Sequence, residues 1–337
     1  MLHPRIDNVW ATDIGPFGEV TYTEAWLHGC ESASWGMRSG TRHPVLRPGA
    51  TVQIYEGSLP VWFGFLAEPS SDGRMEAVGA WVRGAGVLAL DALGLPTSSP
   101  QAVVGAGIAR GALPWKQEGV FLSPTAIGEL GSAVTVNEVL DRRWEFEGVP
   151  WGVNQYGQVR ENPRPTAPTW MTFTASDVWS VSSDKYASHL NVHYATGEET
   201  FADFLYAAPN ADAAIAKWGR VEQPFDLSEL GVITQADAIR YAESAFAQLA
   251  PKMQLTDALT LGPGQLRTMG DTAAGWSAVH AGQAVRLLGV PDKSATSIVL
   301  HTDMVIGTLE RSATQLTLTP AGMPPNNTRD VIAAMSA

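Results

Sequence analysis

The chain of 337 residues holds a single cysteine, Cys30. That excludes an internal disulfide and a thiolate zinc site, leaving the fold to rest on packing and hydrogen bonds. Charge is scarce as well. Asp, Glu, Lys and Arg make up 17% of the residues, against roughly 25% in an ordinary soluble chain, which fits a surface partly turned toward other protein. Basic residues are the scarcer kind, 22 against 34 acidic ones, and they form no run. Without that phosphate-neutralising footprint, sequence-specific DNA or RNA recognition is excluded. No apolar stretch approaches the ~18 residues of a membrane span. The opening Met1-Leu2-His3-Pro4-Arg5-Ile6-Asp7 has no charged-then-apolar leader pattern, so folding in the cytoplasm is expected. Asn326-Asn327-Thr328 fits a glycosylation pattern that has no use there. The G-x-S-x-G, H-E-x-x-H and G-K-[ST] signatures are also missing.

What the chain does have is turns. Thirty-three glycines and 22 prolines spread along a length that suits about two domains. Glu19 to Leu27, Thr51 to Tyr55, Val61 to Leu66 and Glu76 to Val82 are short, rich in Val, Tyr, Trp and Phe, and bounded by turn residues. They read as strands of a β-domain over 1–90. The second and third form a hairpin through Glu56-Gly57-Ser58, with Pro60 at a strand start or edge.

A mixed α/β unit follows over 91–165. Ser99 caps a helix with Pro100 at its first position, stopped by Gly111 and Pro114. Thr135 and Glu138 form a capping box for a second helix, whose Val136, Val139, Leu140 and Trp144 recur at helical spacing until Gly148. Trp151 to Gln155 and Gln158 to Glu161 turn at Tyr156-Gly157, and Pro163 to Pro168 reads as an exit linker. The range 166–320 returns to strands. Leu190, Val192 and Tyr194 alternate with His189, Asn191 and His193, placing one face inward and the other in water. A helical insertion spans about 209–250: Asn210 caps one helix, and Thr234 another whose stripe is Ile239, Ala242, Phe246 and Leu249. Strands resume at Leu255 to Leu261, Ala284 to Leu288, Ser297 to Leu300, Met304 to Leu309 and Gln315 to Thr319, before a tail at 321–337.

One pattern occurs twice. Leu46-Arg47-Pro48-Gly49-Ala50-Thr51-Val52-Gln53-Ile54, then Val61-Trp62-Phe63-Gly64-Phe65-Leu66, is echoed by Val279-His280-Ala281-Gly282-Gln283-Ala284-Val285-Arg286-Leu287, then Met304-Val305-Ile306-Gly307-Thr308-Leu309. In each, a Gly turn precedes inward apolar residues three and five positions on, and a second strand carries an internal Gly. The two glycines are 15 residues apart in one copy and 25 in the other, a difference that a longer loop absorbs cheaply. Two related β-barrels in one chain would produce this echo. Gly49, Gly64, Gly282 and Gly307 are then the barrel turns, and Val52, Ile54, Val285 and Leu287 the barrel core.

The order and spacing of these motifs resemble the minor tail proteins of long-tailed actinobacterial phages. The residues carrying the resemblance are L-R-P-G-x-x-V-x-I, V-W-F-G-F-L with Glu68-Pro69, Ala106 to Trp115, Asp184-Lys185-Tyr186, and the late A-G-Q-A-V-R-L with Val305-Ile306-Gly307. More distantly the arrangement is similar to the baseplate hub of phage tail tips, contractile tails and the type VI secretion spike. The resemblance implies a mainly β, α+β fold with two hub-like barrels, an inserted α/β domain and peripheral helices. It also implies a homotrimer in the virion tail tip that acts by assembly, takes no cofactor and has no catalytic residues. Its neighbours would be a distal tail protein, a tape measure protein and other tail-tip proteins, and DNA would pass through its channel without sequence recognition. The acidic excess suits a wall that repels phosphate. Two other readings stand beside it: a distal tail protein in a hexameric ring, and a tail-associated cell-wall or carbohydrate-binding protein.

Other motifs carry less. Val103 to Gly111 resembles a dinucleotide fingerprint, but a helix start precedes it where a strand should stand, and Pro114 would cut the helix behind it. His189 and His193 share a strand face yet lie ~13 Å apart, too far for one ion. Glu145 with Glu147 and Glu198 with Glu199 read as solvated charge rather than glycosidase pairs. Trp26, Trp62, Trp81 and Trp151 read as packing residues within strands.

Overall fold

A computed structural model describes the chain except for residues 118–121, 125, 127–133, 174–178, 183–186, 198, 210, 250–251, 256–257, 289–300 and 322–337. The expected strand at 297–300, the Asp184-Lys185-Tyr186 strand opening, Glu198, the Asn210 cap, Asn326-Asn327-Thr328 and all but the first residue of the 321–337 tail lie outside the described residues. The fold is mainly β with a few helices, an α+β arrangement. Its strands are β1 (Leu2–Ile6), β2 (Val9–Trp10), β3 (Phe17–Ala25), β4 (His28–Met37), β5 (Thr51–Glu56), β6 (Leu59–Leu66), β7 (Arg74–Gly79), β8 (Trp151–Val153), β9 (Val159–Glu161) and β10 (Trp170–Phe173). They continue with β11 (Trp179–Ser182), β12 (His189–Gly197), β13 (Thr200–Ala207), β14 (Glu222–Asp226), β15 (Lys252–Leu255), β16 (Leu259–Leu261), β17 (Arg267–Thr268), β18 (Ala284–Leu288), β19 (His301–Arg311) and β20 (Leu316–Pro320). The helices are α1 (Ala11–Ile14), α2 (Pro100–Ala109), α3 (Val136–Glu147), α4 (Ala211–Trp218) and α5 (Gln235–Leu249).

The chain divides into two units. The first holds Met1–Asp141, Val149–Val178 and Asp257–Ala321. Among its described residues fifteen strands join into one sheet, whose main path runs β17-β10-β18-β19-β3-β4-β7-β6-β5-β1-β2. The ranges 1–90 and 166–320 therefore share a sheet, joined where β19 pairs antiparallel with β3 from Thr308↔Ala25 to Arg311↔Tyr22. Within it one strand order recurs. In chain order, β1, β4, β5, β6 and β7 are arranged 1-3-4-5-2, and so are β10, β16, β18, β19 and β20. The two sets differ at one pairing, since β1 runs antiparallel to β5 while β10 runs parallel to β18.

The helices form where capping and packing agree. The Ser99 side chain accepts the Ala102 N–H at the start of α2, with Pro100 at its first position. Thr135 and Glu138 exchange hydrogen bonds ahead of α3, as a capping box does. Val103, Val104, Val136, Val139 and Leu140 then pack with Trp115, Trp151 and Phe65 in one core. The glycine-rich Val103–Gly111 stretch lies largely inside α2, with Gly107 against Leu113, so its glycines form a packing surface rather than a phosphate loop. Trp62 and Trp151 are buried in strands, whereas Trp26 lies in the turn between β3 and β4, and Trp81 in a short 3-10 helix at Ala80–Gly86.

The second unit holds Arg142–Gly148 and Trp179–Thr256 among the described residues. Its sheet has the order β13-β12-β14, and a separate ribbon pairs β11 with β15. Thr234 caps α5 together with Asp237. Ala238, Ala242, Ala245 and Phe246 of α5 bury Leu190, Val192, Tyr194 and Phe225 on one face of the sheet. The run expected as one strand at 255–261 is two, β15 in this unit and β16 in the other.

Candidate functional site

The two repeated glycine turns have the same backbone geometry. Gly49 and Gly282 sit at φ +78° and +86°, the left-handed region that disfavours every residue with a Cβ. The Gly49 N–H donates to the Leu66 carbonyl at 2.8 Å, and the Leu66 N–H to Ala50 O at 2.8 Å. In the later turn, the Gly282 N–H donates to Ile306 O at 2.7 Å, and the Ile306 N–H to Gln283 O at 2.9 Å. Val52, Ile54, Val285 and Leu287, just downstream, are fully buried.

A neighbouring strand ties down each turn through different chemistry. At the end of β1, Asp7 Oδ1 accepts both the N–H and the hydroxyl of Thr51, each at 2.8 Å, while its Oδ2 accepts from Arg47 at 2.7 Å. Partial burial works against the Asp7 carboxylate, but Thr51 and Arg47 outweigh it and hold the carboxyl below its ordinary range. In β10, Trp170 Nε1–H donates to Gln283 Oε1 at 2.7 Å, and the same oxygen accepts the His280 N–H at 2.9 Å.

The second glycines do not correspond in register. Gly64 lies opposite Val52, whereas the residue opposite Val285 is Met304, three positions before Gly307. Both are nonetheless places of close approach. A Cβ at Gly64 would meet Val78 O at 2.1 Å, and one at Gly307 would meet Ala321 Cα at 2.6 Å.

Around the Gly282 turn the first unit assembles polar side chains that no local pattern connects. Buried Glu24 of β3 lies 3.1 Å from His280 Nδ1, and His280 Nε2 lies 3.3 Å from Gln155 Nε2 in the β8–β9 turn. With the amide donating to Nε2, the imidazole proton sits on Nδ1 and faces the carboxylate. Cys30, Arg160, Asn162 and Asn154 help line a cavity of about 20 Å³ there, roughly the room of one water molecule. Glu24 and His280 are 256 residues apart in sequence. Among the described residues no three His, Cys, Asp or Glu side chains are placed to hold a metal ion, and no helix is long and apolar enough to cross a membrane.

The solvent face of β3, β4 and β7 is a second surface. Tyr22 and Glu24 point inward, so Thr21 and Thr23 point outward. There Thr21 pairs with Ser34 through hydroxyls 2.9 Å apart, and Thr23 with Ser32 at 2.6 Å. Glu76 stands beside Ser34 and Glu310 beside Thr23. Glu19, Asp72 and Arg74 help line an adjoining open groove of about 520 Å³, and Arg74 is bound to Glu76 at 2.8 Å. The face is hydroxyl-bearing at its centre and acidic at its margins.

No family model matches the chain, and no curated protein matches it in sequence. Solved structures match it in fold. A tail protein from Neisseria meningitidis MC58 superposes with a TM-score of 0.60 at 11% identity, covering 98% of both chains. The 43 kDa tail protein of prophage MuSo2 from Shewanella oneidensis gives 0.59 at 13% identity, over 95% of this chain and 97% of that one. Prophage tail protein gp18 from Listeria monocytogenes EGD-e gives 0.54 at 14% identity, over 99% and 97%. The fold of this chain is thus that of solved phage tail proteins along nearly its whole length.

Proposed function

We propose that the chain is a structural phage tail protein, a hub at the tail tip that joins the tail tube to the tip and acts by assembly rather than catalysis. The observation that carries this is the extent of the match: the fold follows tail proteins over 95% or more of the chain. The recurrent five-strand order and the twin turns at Gly49 and Gly282 support a duplicated β-unit. On this reading 1–90 and 166–320 hold the two related barrels, with 91–165 inserted. Three copies then present six related units to a sixfold tube. The acidic, hydroxyl-bearing face of β3, β4 and β7 is the surface suited to a passing DNA duplex, since Arg74, the cation that lines its groove, is already bound to Glu76. Distal tail, tape measure and other tail-tip proteins are the proposed neighbours, in a virion whose parts are made in the host cytoplasm.

Symmetry in electron images of tails bearing a tag on this chain tests the proposal. Three copies at the tip are expected. Six copies would replace the hub with a hexameric distal ring, and absence from the particle would overturn the reading.

A further inference from the structure

The second unit carries a surface that the tail-hub reading does not use. Among the described residues, its three-stranded sheet has one face filled by α5 and the other open. On the open face the register sets residues in rows. Leu205, Asn191 and Pro224 form one row, and Asp203, His193 and Asp226 the next. Beyond them Phe201 lies opposite Ala195, which also bridges to Val232. Phe201, Leu205 and Val232 are 52%, 47% and 60% exposed, high values for large apolar side chains on ordered strands and bridges. An acidic band is therefore bordered on both sides by exposed apolar groups.

The side chains of the band are held in place by one another and by a neighbouring serine. His193 Nδ1 lies 2.8 Å from Asp203 Oδ1, and its ring stacks on Phe201 at 5.1 Å. The Asp226 carboxylate is held below its ordinary range, first by the Ser228 hydroxyl and N–H and then by His193. At the margin Arg220 is bound to Glu222 at 2.6 Å and so does not neutralise the band. Two carboxylates share one imidazole, which leaves acceptor capacity for a further cation.

We infer that this open face docks a protein segment that sets a Lys or Arg side chain between apolar residues. Charge complementarity selects the basic centre, and the exposed Phe201, Leu205 and Val232 select the apolar flanks. The surface belongs to the chain itself, so its test needs no assembled particle and its outcome is separate from that of the hub proposal.

Fluorescence anisotropy on the full-length chain supplies the test, using two labelled peptides: Leu-Thr-Leu-Lys-Leu-Thr-Leu and the same sequence with Glu in place of Lys. The Lys peptide is expected to bind at least tenfold more tightly and to weaken several-fold between 50 and 300 mM salt, figures of about the size that one or two charge contacts give. The double variant Asp203→Asn/Asp226→Asn should remove the preference. Phe201→Ser/Leu205→Ser should weaken both peptides about tenfold, with the circular dichroism spectrum and melting temperature unchanged. Absence of binding, equal binding to all variants, or loss of a soluble cell-wall glycan rather than of peptide in the same variants would overturn the inference. So would sedimentation showing that the face is already covered by a second copy.

Discussion

The indole of Trp26 lies against the backbone of Gly282, where a Cβ would stand 2.5 Å from Trp26 Cδ1. The same residue donates its backbone N–H to Gly307 O at 2.7 Å and its indole N–H to Asn162 O at 2.9 Å. One turn residue between β3 and β4 thus ties the late glycine turn, β19 and the chain after β9 to the N-terminal strands.

Gly282 is therefore the less replaceable of the two repeated turn glycines. Gly282→Ala combines a left-handed backbone with a clash on a ring that is itself held, and should cost roughly 3 kcal/mol or more. At Gly49 the nearest obstacle is the tip of the Arg83 side chain at 3.0 Å, so Gly49→Ala should cost only about 1 kcal/mol. Urea unfolding of the purified chain measures both, and equal losses would contradict the Trp26 contact.

Asp7 gives an acid-sensitive staple. Its folded carboxyl titrates below the unfolded value of 3.8, so its stabilisation is full above that value and is lost as pH falls through the lower, folded one. Asp7→Asn should lose about 1 kcal/mol at pH 7, and the gap from wild type should close only below about pH 4. Arg47→Ala should cost less, because that side chain is largely exposed. Unfolding curves at stepped pH would test this, and a gap already closed at pH 5 would exclude it.

Arg311 offers a contrast between removal and replacement. It is 3% exposed, is bound to Glu56 and lies over the Trp276 ring at 5.6 Å. Glu56→Ala strands that cation, and should cost about 3 kcal/mol. The double variant Arg311→Met/Glu56→Gln should recover most of the loss. Thermal melts of both variants decide the point, and additive losses would show that the pair does not act as a unit.

On the proposed tail-hub function, the β3–β4–β7 face bears on DNA passage rather than stability. Glu19→Lys/Glu76→Lys/Glu310→Lys changes exposed positions only, so the melting temperature should hold within a few degrees. Duplex DNA, which the wild type should not bind near physiological salt, is expected to bind the variant with marked salt dependence. Particles carrying it should eject DNA more slowly, and normal ejection would remove this face from the DNA path.

The helices α2 and α3 were legible because their signals are local. Ser99 with Pro100, and Thr135 with Glu138, announce α2 and α3 within one turn of chain. β4 was not, since His28–Met37 is crowded with Gly and Ser and its strand character comes from pairing with β3 and β7. β1 was hidden by Pro4, and β13 by a burial alternation set by α5 beneath it. The glycine echo located two like turns, yet aligned Gly64 with Gly307 across a register that sequence spacing does not reveal. Glu24 and His280 were illegible for a different reason: only the pairing of β3 with β19 and the turn ahead of β18 bring them together.

The seam between β3 and β19 also governs when the molecule can finish folding. Tyr22 and its partner Arg311 are 289 residues apart, so β3 emerges from the ribosome long before the strand that covers its free edge. That edge is a row of unsatisfied backbone groups through most of synthesis, and such edges pair with whatever strand is near. Folding of the large sheet is then necessarily late and of high contact order. A cell making many copies at once would have to keep these nascent edges apart.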